Sequence, residues 1–295
     1  MIYLSRFFFP DAEREVSFRM GEQRTCFDSY YPFQILSGKG FFELEADHIT
    51  LLYGGNGSGK TTALNVMAEK LGLERDTLYN RSGFFEDYLN LCAYDARRPI
   101  PRHSRVITSD DVFDYMLNLR AINQGVDRNR QEIMEEYLDL ANANPGNKYA
   151  GWQMKSLADY DQLVRLNAAR KKTQSRFVRS FAAGNIRERS NGESAYAYFT
   201  EKITENALYL LDEPENSLSP CRQAELAGFI EESVRFYGCQ FVIATHSPFL
   251  LALRGAKIYD LDADPAAERK WTALENVRAY YDFFRRHRDE FEREE

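Results

Sequence analysis

Short apolar runs, each ended by turn-forming residues, recur along the 295-residue chain. Residues 49–53, 207–211 and 240–244 are almost continuously apolar, which is typical of strands covered on both faces of a parallel sheet. Residues 105–108 and 257–261 are two further strand candidates. The spacing of these runs leaves room for a helix between successive strands.

Helical patterns do occur between the runs. Ala63, Met67 and Leu71 recur every four residues, and Gly72 directly after them is a typical C-terminal cap. A second pattern follows Ser219-Pro220, a typical helix start, with apolar residues at positions 226, 230, 234 and 237. The alternation of strand and helix predicts an α/β fold with a mostly parallel central sheet.

Two stretches depart from this alternation. The opening forty-odd residues contain aromatic-rich, alternating runs such as 40–45, which predict an antiparallel N-terminal flank. Strand patterns are missing from about residue 112 to residue 189, where the sequence is polar and helix-like, so we predict an inserted helical lobe. We expect one domain over residues 1–295 that includes this insertion.

A last amphipathic pattern covers about residues 272–292. Its apolar positions Val277, Tyr281 and Phe284 are spaced by four and then three residues. This spacing predicts a C-terminal helix that packs its apolar face against the domain.

The strand predicted at residues 49–53 is followed at once by a glycine-rich segment with one lysine. The segment reads Gly54-Gly55-Asn56-Gly57-Ser58-Gly59-Lys60-Thr61-Thr62 and satisfies the P-loop pattern GxxxxGK[ST] between a strand and a helix. Glycines let backbone N–H groups converge on phosphate oxygens, and the helix N-terminus adds partial positive charge. Lys60 is expected to reach the β- and γ-phosphates, and the Thr61 hydroxyl is expected to ligate Mg²⁺.

Polar side chains end two further predicted strands. Asp212 and Glu213 follow the run 207–211, and His246 follows the run 240–244. Ligands bind at the carboxyl ends of parallel strands, so we expect these three side chains near the P-loop. Asp212 is the candidate Mg²⁺ ligand, Glu213 the candidate for polarising the attacking water, and His246 the candidate γ-phosphate sensor.

Together these motifs resemble the nucleotide-binding domain of the ABC-type ATPases, in particular the soluble branch with RecF-like, chromosome-maintenance and stand-alone predicted ATPases. Residues 54–62 match the Walker A motif, 208–213 the Walker B motif and 217–220 the D-loop, while His246 matches the switch histidine. Glu213-Pro214-Glu215-Asn216 is particularly like that branch. The resemblance covers roughly residues 1–265 and implies ATP and Mg²⁺ as cofactors and a homodimer formed on ATP binding.

The resemblance also implies a signature motif that contacts the nucleotide of the opposite subunit. Ser190 and Gly192 fit its serine and glycine, while Arg189, Asn191 and Glu193 depart from LSGGQ. An ordinary helix cap supported by Glu193 is the alternative. The family's Q-loop glutamine has no counterpart; Asp110 is the candidate there for a metal or water contact, and a plain helix N-cap at Ser109 is the alternative.

The adenine site is the least defined part of the pattern. Tyr30, Tyr31 and Phe33 are the aromatic candidates for stacking on the base. Packing in the core is the alternative for all three.

The overall charge of −7, from 38 Lys+Arg against 45 Asp+Glu, hides an uneven distribution. Residues 165–189 hold eight Lys or Arg and one acidic residue, Glu188, so the rest of the chain is strongly acidic. If this segment is helical, Arg165, Lys172, Arg176 and Arg179 share a face. That face is a candidate for binding DNA or RNA, with an acidic protein partner, the dimer's nucleotide site and a merely solvated surface as alternatives.

Cellular context follows from weaker signals. The four cysteines lie far apart without metal-ligand spacing, which favours reduced thiols. No cleavable leader is apparent, and the uncharged stretch 236–253 is interrupted by Thr245-His246-Ser247-Pro248, so we predict no membrane span and a cytoplasmic protein.

Two functions are consistent with these motifs. The first is an ATP-hydrolysing, nucleotide-sandwich dimer that couples turnover to a partner protein or to nucleic acid. The second is an ATP-gated regulatory or defence and repair sensor with little turnover. A P-loop kinase does not need Asp212-Glu213, the signature-like loop and His246 together. The altered signature and the missing glutamine argue against a transporter subunit.

Overall fold

The computed structural model describes residues 1–141, 164–165, 168–169, 173–181 and 191–292. Its strands are β1 (Leu4–Phe8), β2 (Glu43–Glu45), β3 (Ile49–Tyr53), β4 (Ala93–Ala96), β5 (Arg105–Thr108), β6 (Leu208–Asp212), β7 (Gln240–Ala244), β8 (Lys257–Asp260) and β9 (Ala267–Glu268). Its helices are α1 (Ala12–Gly21), α2 (Lys60–Leu71), α3 (Phe85–Leu91), α4 (Ser109–Ala141), α5 (Gln174–Phe181), α6 (Asn191–Lys202), α7 (Pro220–Phe236), α8 (Pro248–Leu251), α9 (Glu275–Arg286) and α10 (Arg288–Glu292).

The strands form two sheets. The larger has the order β5-β6-β7-β3-β8-β9, and every pairing in it is parallel except that of β8 with β9. The smaller has the order β2-β1-β4 and is antiparallel. These sheets confirm the prediction of an α/β fold with a mostly parallel central sheet and an antiparallel N-terminal flank.

Burial explains the central strands. Every residue of β3, β6 and β7 is buried, which accounts for their continuous apolar sequences. Gln240 at the start of β7 is the buried polar exception, because all of its side-chain hydrogen-bonding groups have partners. Its Oε1 accepts from the backbone N–H groups of Tyr3 and Leu4, and its Nε2 donates to the carbonyls of Leu4 and Asp47. Gln240 thereby connects β1 of the small sheet to the large sheet.

Local capping sets two helix boundaries that matter for the site. α2 begins at Lys60 and ends at Leu71, and the N–H of Gly72 closes it in a left-handed conformation (φ 67°), as predicted. At the start of α4, the Asp111 carboxylate accepts from the Thr108 N–H at 2.6 Å, and the Thr108 hydroxyl accepts from the Asp111 N–H at 3.3 Å. This reciprocal capping box starts α4 directly from the end of β5.

The chain divides into two compact units, 1–113 with 190–295 and 114–189. The first unit contains both sheets and a large apolar core. The second is an all-helical segment in its described part, where Ile133, Leu140 and Ala169 are buried together. Residues 142–146, where the sequence Asn-Ala-Asn-Pro-Gly predicts a loop within the lobe, lie outside the described residues.

The C-terminal helix corrects one expectation. Val277 is buried, but Tyr281 and Phe284 are both about half exposed, 52% each. The helix contacts the sheet through its first turn, where the Asn276 N–H donates to the Tyr53 hydroxyl at 3.3 Å, and the predicted packing along the whole apolar stripe is wrong. None of the described helices has both the length and the apolar character needed to cross a membrane.

Candidate functional site

The glycine-rich segment connects β3 to α2 and borders a cleft of about 330 Å³. Asn56, Gly57, Ser58, Gly59, Lys60, Thr61 and Thr62 line this cleft together with Glu213 and Ile35. The sequence pattern and the cavity therefore coincide at the carboxyl edge of the parallel strands.

Gly59 is required by both its backbone and its neighbours. Its φ is 99°, and a Cβ atom there would lie 2.9 Å from Ile35 Cγ2 and 3.1 Å from Leu36 Cδ2. The segment around Ile35 thus packs directly on the turn that precedes Lys60. Sequence reasoning missed Ile35, because its proximity to the P-loop comes only from the fold.

Lys60 is held at the mouth of the loop. Its Nζ donates to the carbonyls of Gly54 at 2.7 Å and Gly55 at 3.0 Å, and lies 3.5 Å from Glu213 Oε1. The residue is only 4% exposed, so its positive charge is confined to the cleft. A confined ammonium group beside free backbone N–H groups is a suitable counter-charge for phosphate.

Asp212 at the end of β6 meets the first turn of α2. The Thr61 hydroxyl donates to Asp212 Oδ1 at 3.2 Å. Burial raises the pKa of Asp212 to about 6, with Glu213 and Glu215 adding to the increase while the Thr61 hydrogen bond and Lys60 oppose it. A hydroxyl and a carboxylate oxygen this close are the donor types that Mg²⁺ takes alongside phosphate oxygens.

No larger metal cage exists in the described ranges, where no cluster of three or more His, Cys, Asp or Glu side chains could hold an ion. Mg²⁺ usually keeps several waters and needs only one or two carboxylates plus the phosphates of its nucleotide. The pair Thr61 and Asp212 fits that requirement.

Glu213 points back towards the P-loop because of its backbone. Its φ of 46° is left-handed, and its N–H still donates to the Ala244 carbonyl at 2.9 Å. The side chain lies between two partners, with Oε1 3.5 Å from Lys60 Nζ and Oε2 accepting from Asn216 Nδ2 at 2.9 Å. A left-handed non-glycine residue costs about 1–3 kcal/mol and is typical of functional positions.

His246 follows β7, one strand away from Asp212. Its side chain is 47% exposed, and its carbonyl accepts from Asn276 Nδ2 at 2.6 Å. Its Nδ1 lies 3.4 Å from Glu215 Oε1. Glu215 is a residue to which the sequence reasoning assigned no chemistry, although it stands in the segment that carries the family resemblance.

Glu215 connects the ends of β6 and β7. It is 5% exposed, and its Oε1 accepts from the Thr245 hydroxyl and the His246 N–H, each at 2.7 Å, and from the Ser247 N–H at 3.2 Å. One buried carboxylate thus holds the backbone that carries His246.

Asp262 is a second acidic residue that the sequence reasoning missed. It follows β8, and its Oδ2 accepts from the Gly55 N–H at 2.7 Å. This bond fixes the start of the P-loop from the side of the sheet opposite β7.

Of the remaining predicted site residues, the structure describes Asp110 and Gly192. Asp110 is exposed in the first turn of α4, and no described contact joins it to Thr61 or Asp212. The cap expected at Ser109 is formed instead by Thr108 with Asp111, because Asp111 is the residue that turns inward. Ser190 lies outside the described residues. Gly192 lies in the first turn of α6, beside Glu193, whose carboxylate is 3.5 Å from Arg222.

The aromatic candidates for the base belong to the core. Tyr30 stacks on Phe84 with ring centroids 4.7 Å apart, Tyr31 packs on Phe85, and Phe33 meets Tyr88 edge-on at 5.0 Å. The structure thus favours the packing alternative for all three. Ile35 is the apolar side chain that lines the cleft.

Only part of the basic segment can be described. Arg165 pairs with Glu136 at 2.5 Å, and Arg176 lies in α5, which begins at Gln174. Lys172 lies outside the described residues, and Thr173 is not helical, so the shared face predicted for Arg165, Lys172, Arg176 and Arg179 does not belong to one described helix.

Comparison with known proteins adds a family match. Residues 132–252 match a family model described as "AAA domain, putative AbiEii toxin, Type IV TA system". The matched part is less than half of the chain; it contains Asp212, Glu213 and His246 but not the P-loop. No curated protein matches the chain significantly.

Several solved structures are distantly similar. A nucleotide-free ATP-binding cassette from an ABC transporter shares 15% identity at a TM-score of 0.41, covering 95% of this chain and 94% of that one. An SMC head domain from Thermotoga maritima shares 12% identity at 0.38, covering 93% and 100%. A Pyrococcus furiosus Smc head domain bound to the C-terminal domain of ScpA shares 14% identity at 0.37, covering 82% and 95%.

Structural similarity at this level carries no argument about activity. The conclusion rests on the parallel sheet, the P-loop between β3 and α2, the acidic end of β6 and the histidine after β7, together with the family match. The chain has the fold and the motif order of a P-loop nucleotide-binding domain, and part of it matches an AAA domain model.

Proposed function

We propose that this protein binds ATP with Mg²⁺ in the P-loop cleft and hydrolyses it. One observation carries the proposal: Lys60 and Thr61 in the first turn of α2 meet Asp212 and Glu213 at the end of β6, which is far away in the chain, through contacts of 3.2 and 3.5 Å. Nucleotide hydrolysis requires these groups: a cation, a hydroxyl, a metal-binding carboxylate and a second carboxylate.

The role of each residue follows from its charge. Lys60 and the N–H groups at the start of α2 bind phosphate oxygens, and Thr61 with Asp212 would hold Mg²⁺, which neutralises charge on the phosphates when it is bound. Glu213 is placed to accept a proton from the attacking water, and His246 to contact the γ-phosphate.

Two variants test this assignment. Lys60→Ala should abolish ATP binding, measured with a fluorescent ATP analogue, because the buried counter-charge is lost. Glu213→Gln should keep ATP binding but lower turnover by roughly 10²- to 10⁴-fold, the range for loss of a general base.

Matched controls exist for both variants. Lys70→Ala removes an ammonium group from the other end of α2, where it donates to the Leu89 carbonyl, and Glu201→Gln changes an exposed acid on α6. Both controls should bind and hydrolyse ATP normally. Unchanged affinity in Lys60→Ala would refute the phosphate site, and wild-type turnover in Glu213→Gln would refute the general base.

The finer proposal is a nucleotide-sandwich homodimer in which Ser190 and Gly192 of one subunit contact the nucleotide of the other. Its support is the resemblance of residues 190–194 to the family's signature and the place of Gly192 at the start of α6. The alternative is an ATP-gated switch in regulation, defence or repair. The matched family's description names a toxin, which favours that alternative, and wild-type protein that dimerises with ATP without measurable turnover would establish it.

A nucleic-acid partner remains a proposal that rests on the charge of residues 165–189. Arg165 is already paired with Glu136, so the remaining basic residues would have to supply most phosphate contacts. The test is the ATPase rate with single- and double-stranded DNA over a salt series. Stimulation that fades as salt rises supports the proposal, whereas no stimulation at low salt refutes it.

A further inference from the structure

We propose that Glu215 is a positioning residue that holds the imidazole of His246 through Nδ1 and so presents Nε2 to the nucleotide. The proposal rests on the proposed function only in that His246 faces a bound nucleotide. The contact between Glu215 and His246 itself can be tested without turnover.

Glu215 Oε1 accepts three hydrogen bonds, of 2.7, 2.7 and 3.2 Å. They come from the Thr245 hydroxyl and from the N–H groups of His246 and Ser247. Their donors are uncharged, so an amide carbonyl oxygen can accept all three, although a carboxylate oxygen accepts each of them more strongly. Support of the loop therefore requires an acceptor at position 215, but it does not require a negative charge.

The other carboxylate oxygen, Glu215 Oε2, is buried and has no hydrogen-bond partner in the described part of the chain. Burying a carboxylate with one oxygen unpaired is costly, so the charge needs a reason that the backbone contacts do not provide. A glutamine would accept the same hydrogen bonds from the loop with a smaller free-energy penalty for burial.

The imidazole of His246 is the group that uses the charge of Glu215. Its Nδ1 lies 3.4 Å from Glu215 Oε1, within ion-pair distance, and the ring is otherwise about half exposed. A carboxylate beside Nδ1 keeps a proton on that nitrogen and leaves Nε2 as the nitrogen that is free to meet a ligand. With both nitrogens protonated, Nε2–H can donate to a phosphate oxygen, and such contacts tighten when the ligand binds.

Asn276 provides a matched control for loop support. Its Nδ2 donates to the His246 carbonyl at 2.6 Å, so it holds the same residue without touching the imidazole. Asn276→Ala removes support from the loop, whereas Glu215→Gln keeps the acceptor for the loop and removes the charge beside Nδ1.

The experiment measures the side-chain ¹⁵N and ¹H signals of the four histidines by NMR, assigned with His246→Ala. In wild-type protein we expect the neutral form of His246 to carry its proton on Nδ1. Glu215→Gln should shift it towards the Nε2–H tautomer, and Asn276→Ala should leave it unchanged. A wild-type His246 that is mainly Nε2–H would overturn the proposal, even if every variant at position 215 failed to fold.

Kinetics provide the second readout. Glu215→Gln should lower kcat by roughly 10- to 100-fold, by analogy with the loss when the partner of a metal-binding histidine is removed, with little change in KM. If Glu215 acts through His246, the double variant with His246→Ala should be no slower than His246→Ala alone.

The outcomes separate this proposal from the proposed function. If wild-type protein does not hydrolyse ATP, the function fails while the NMR result still decides the contact. If wild-type protein hydrolyses ATP but Glu215→Gln matches it in kcat and tautomer, the role of Glu215 is refuted and the function stands. Additive losses in the double variant would also refute it.

Discussion

At the scale of single residues, Asp212 is subject to two opposing requirements on its protonation. To hold Mg²⁺ as proposed, it must be ionised, yet its burial raises its pKa to about 6. The folded protein therefore holds this proton more tightly than the unfolded chain does. As pH rises from about 4 to about 6, ionisation of the buried Asp212 lowers the free energy of unfolding. This destabilisation is complete above pH 6.

Asp212→Asn removes this cost because the amide carries no charge. Relative to wild type, its free energy of unfolding should rise by roughly 2–3 kcal/mol between pH 4 and pH 7. The measurement is urea denaturation in EDTA without nucleotide. Asp28→Asn, at an exposed position, should follow the wild-type pH dependence. Parallel curves for Asp212→Asn and wild type would contradict the prediction.

The sequence predicted those site residues whose chemistry is linked to a local pattern. Lys60 and Thr61 follow a strand within a glycine-rich segment, and Asp212 and Glu213 end a strand, so their neighbours in the chain reveal them. Glu215 and Asp262 could not be found in this way, because each acts on a loop that is distant in sequence. The available signals were an acid two residues after Glu213 and an acid soon after a strand.

At the scale of elements, Gln240 links the two sheets. Its four hydrogen bonds satisfy backbone groups of β1 and of the turn before β3. A glutamine at the start of an apolar run gives no sign of this role in the sequence. It is explained by the need to satisfy the backbone groups at the start of β1, where the two sheets meet.

Gln240→Met keeps the side chain's size but removes all four bonds. We expect a loss of about 3–5 kcal/mol in the free energy of unfolding, because buried N–H and C=O groups are left without partners. Denaturant titration measures it, with Gln131→Met at an exposed position of α4 as the control. A loss below about 1 kcal/mol would show that water replaces the glutamine.

Periodicity predicted helices and strands better than it predicted their surroundings. The strands at β3, β6 and β7 were predicted because burial on both faces leaves a continuous apolar sequence. The face of α9 was predicted to be covered, and Tyr281 and Phe284 are half exposed. A spacing of four and three defines a face, but it carries no information on what packs against it.

At the scale of the whole molecule, the proposed dimer makes a demand on Gly192. Among the described residues, the atom nearest to a Cβ built there is Arg222 Cγ at 3.8 Å, so this part of the chain leaves room for a side chain. The proposed sandwich would instead bring the other subunit's nucleotide to this point. If the proposed dimer forms, it is the dimer and not the fold that requires the glycine.

Gly192→Trp in the Glu213→Gln protein should therefore keep wild-type stability but remain monomeric with ATP and Mg²⁺. Gly228→Trp, on an exposed position of α7 with no atom within 4 Å of its Cβ, should dimerise normally. Analytical ultracentrifugation distinguishes the two. Equal dimerisation of both variants would place the interface elsewhere.

The strand order could not be read from the sequence, and it determines when the site can exist. β3 leaves the ribosome early, yet its only partners in the large sheet are β7 and β8, which are synthesised late. The nascent chain must therefore carry this strand, all of whose residues are buried in the folded protein, unpaired through most of its synthesis. Nucleotide cannot assist folding at that stage, because the P-loop has no rigid strand behind it, so newly made protein should depend on chaperones until its last third has emerged.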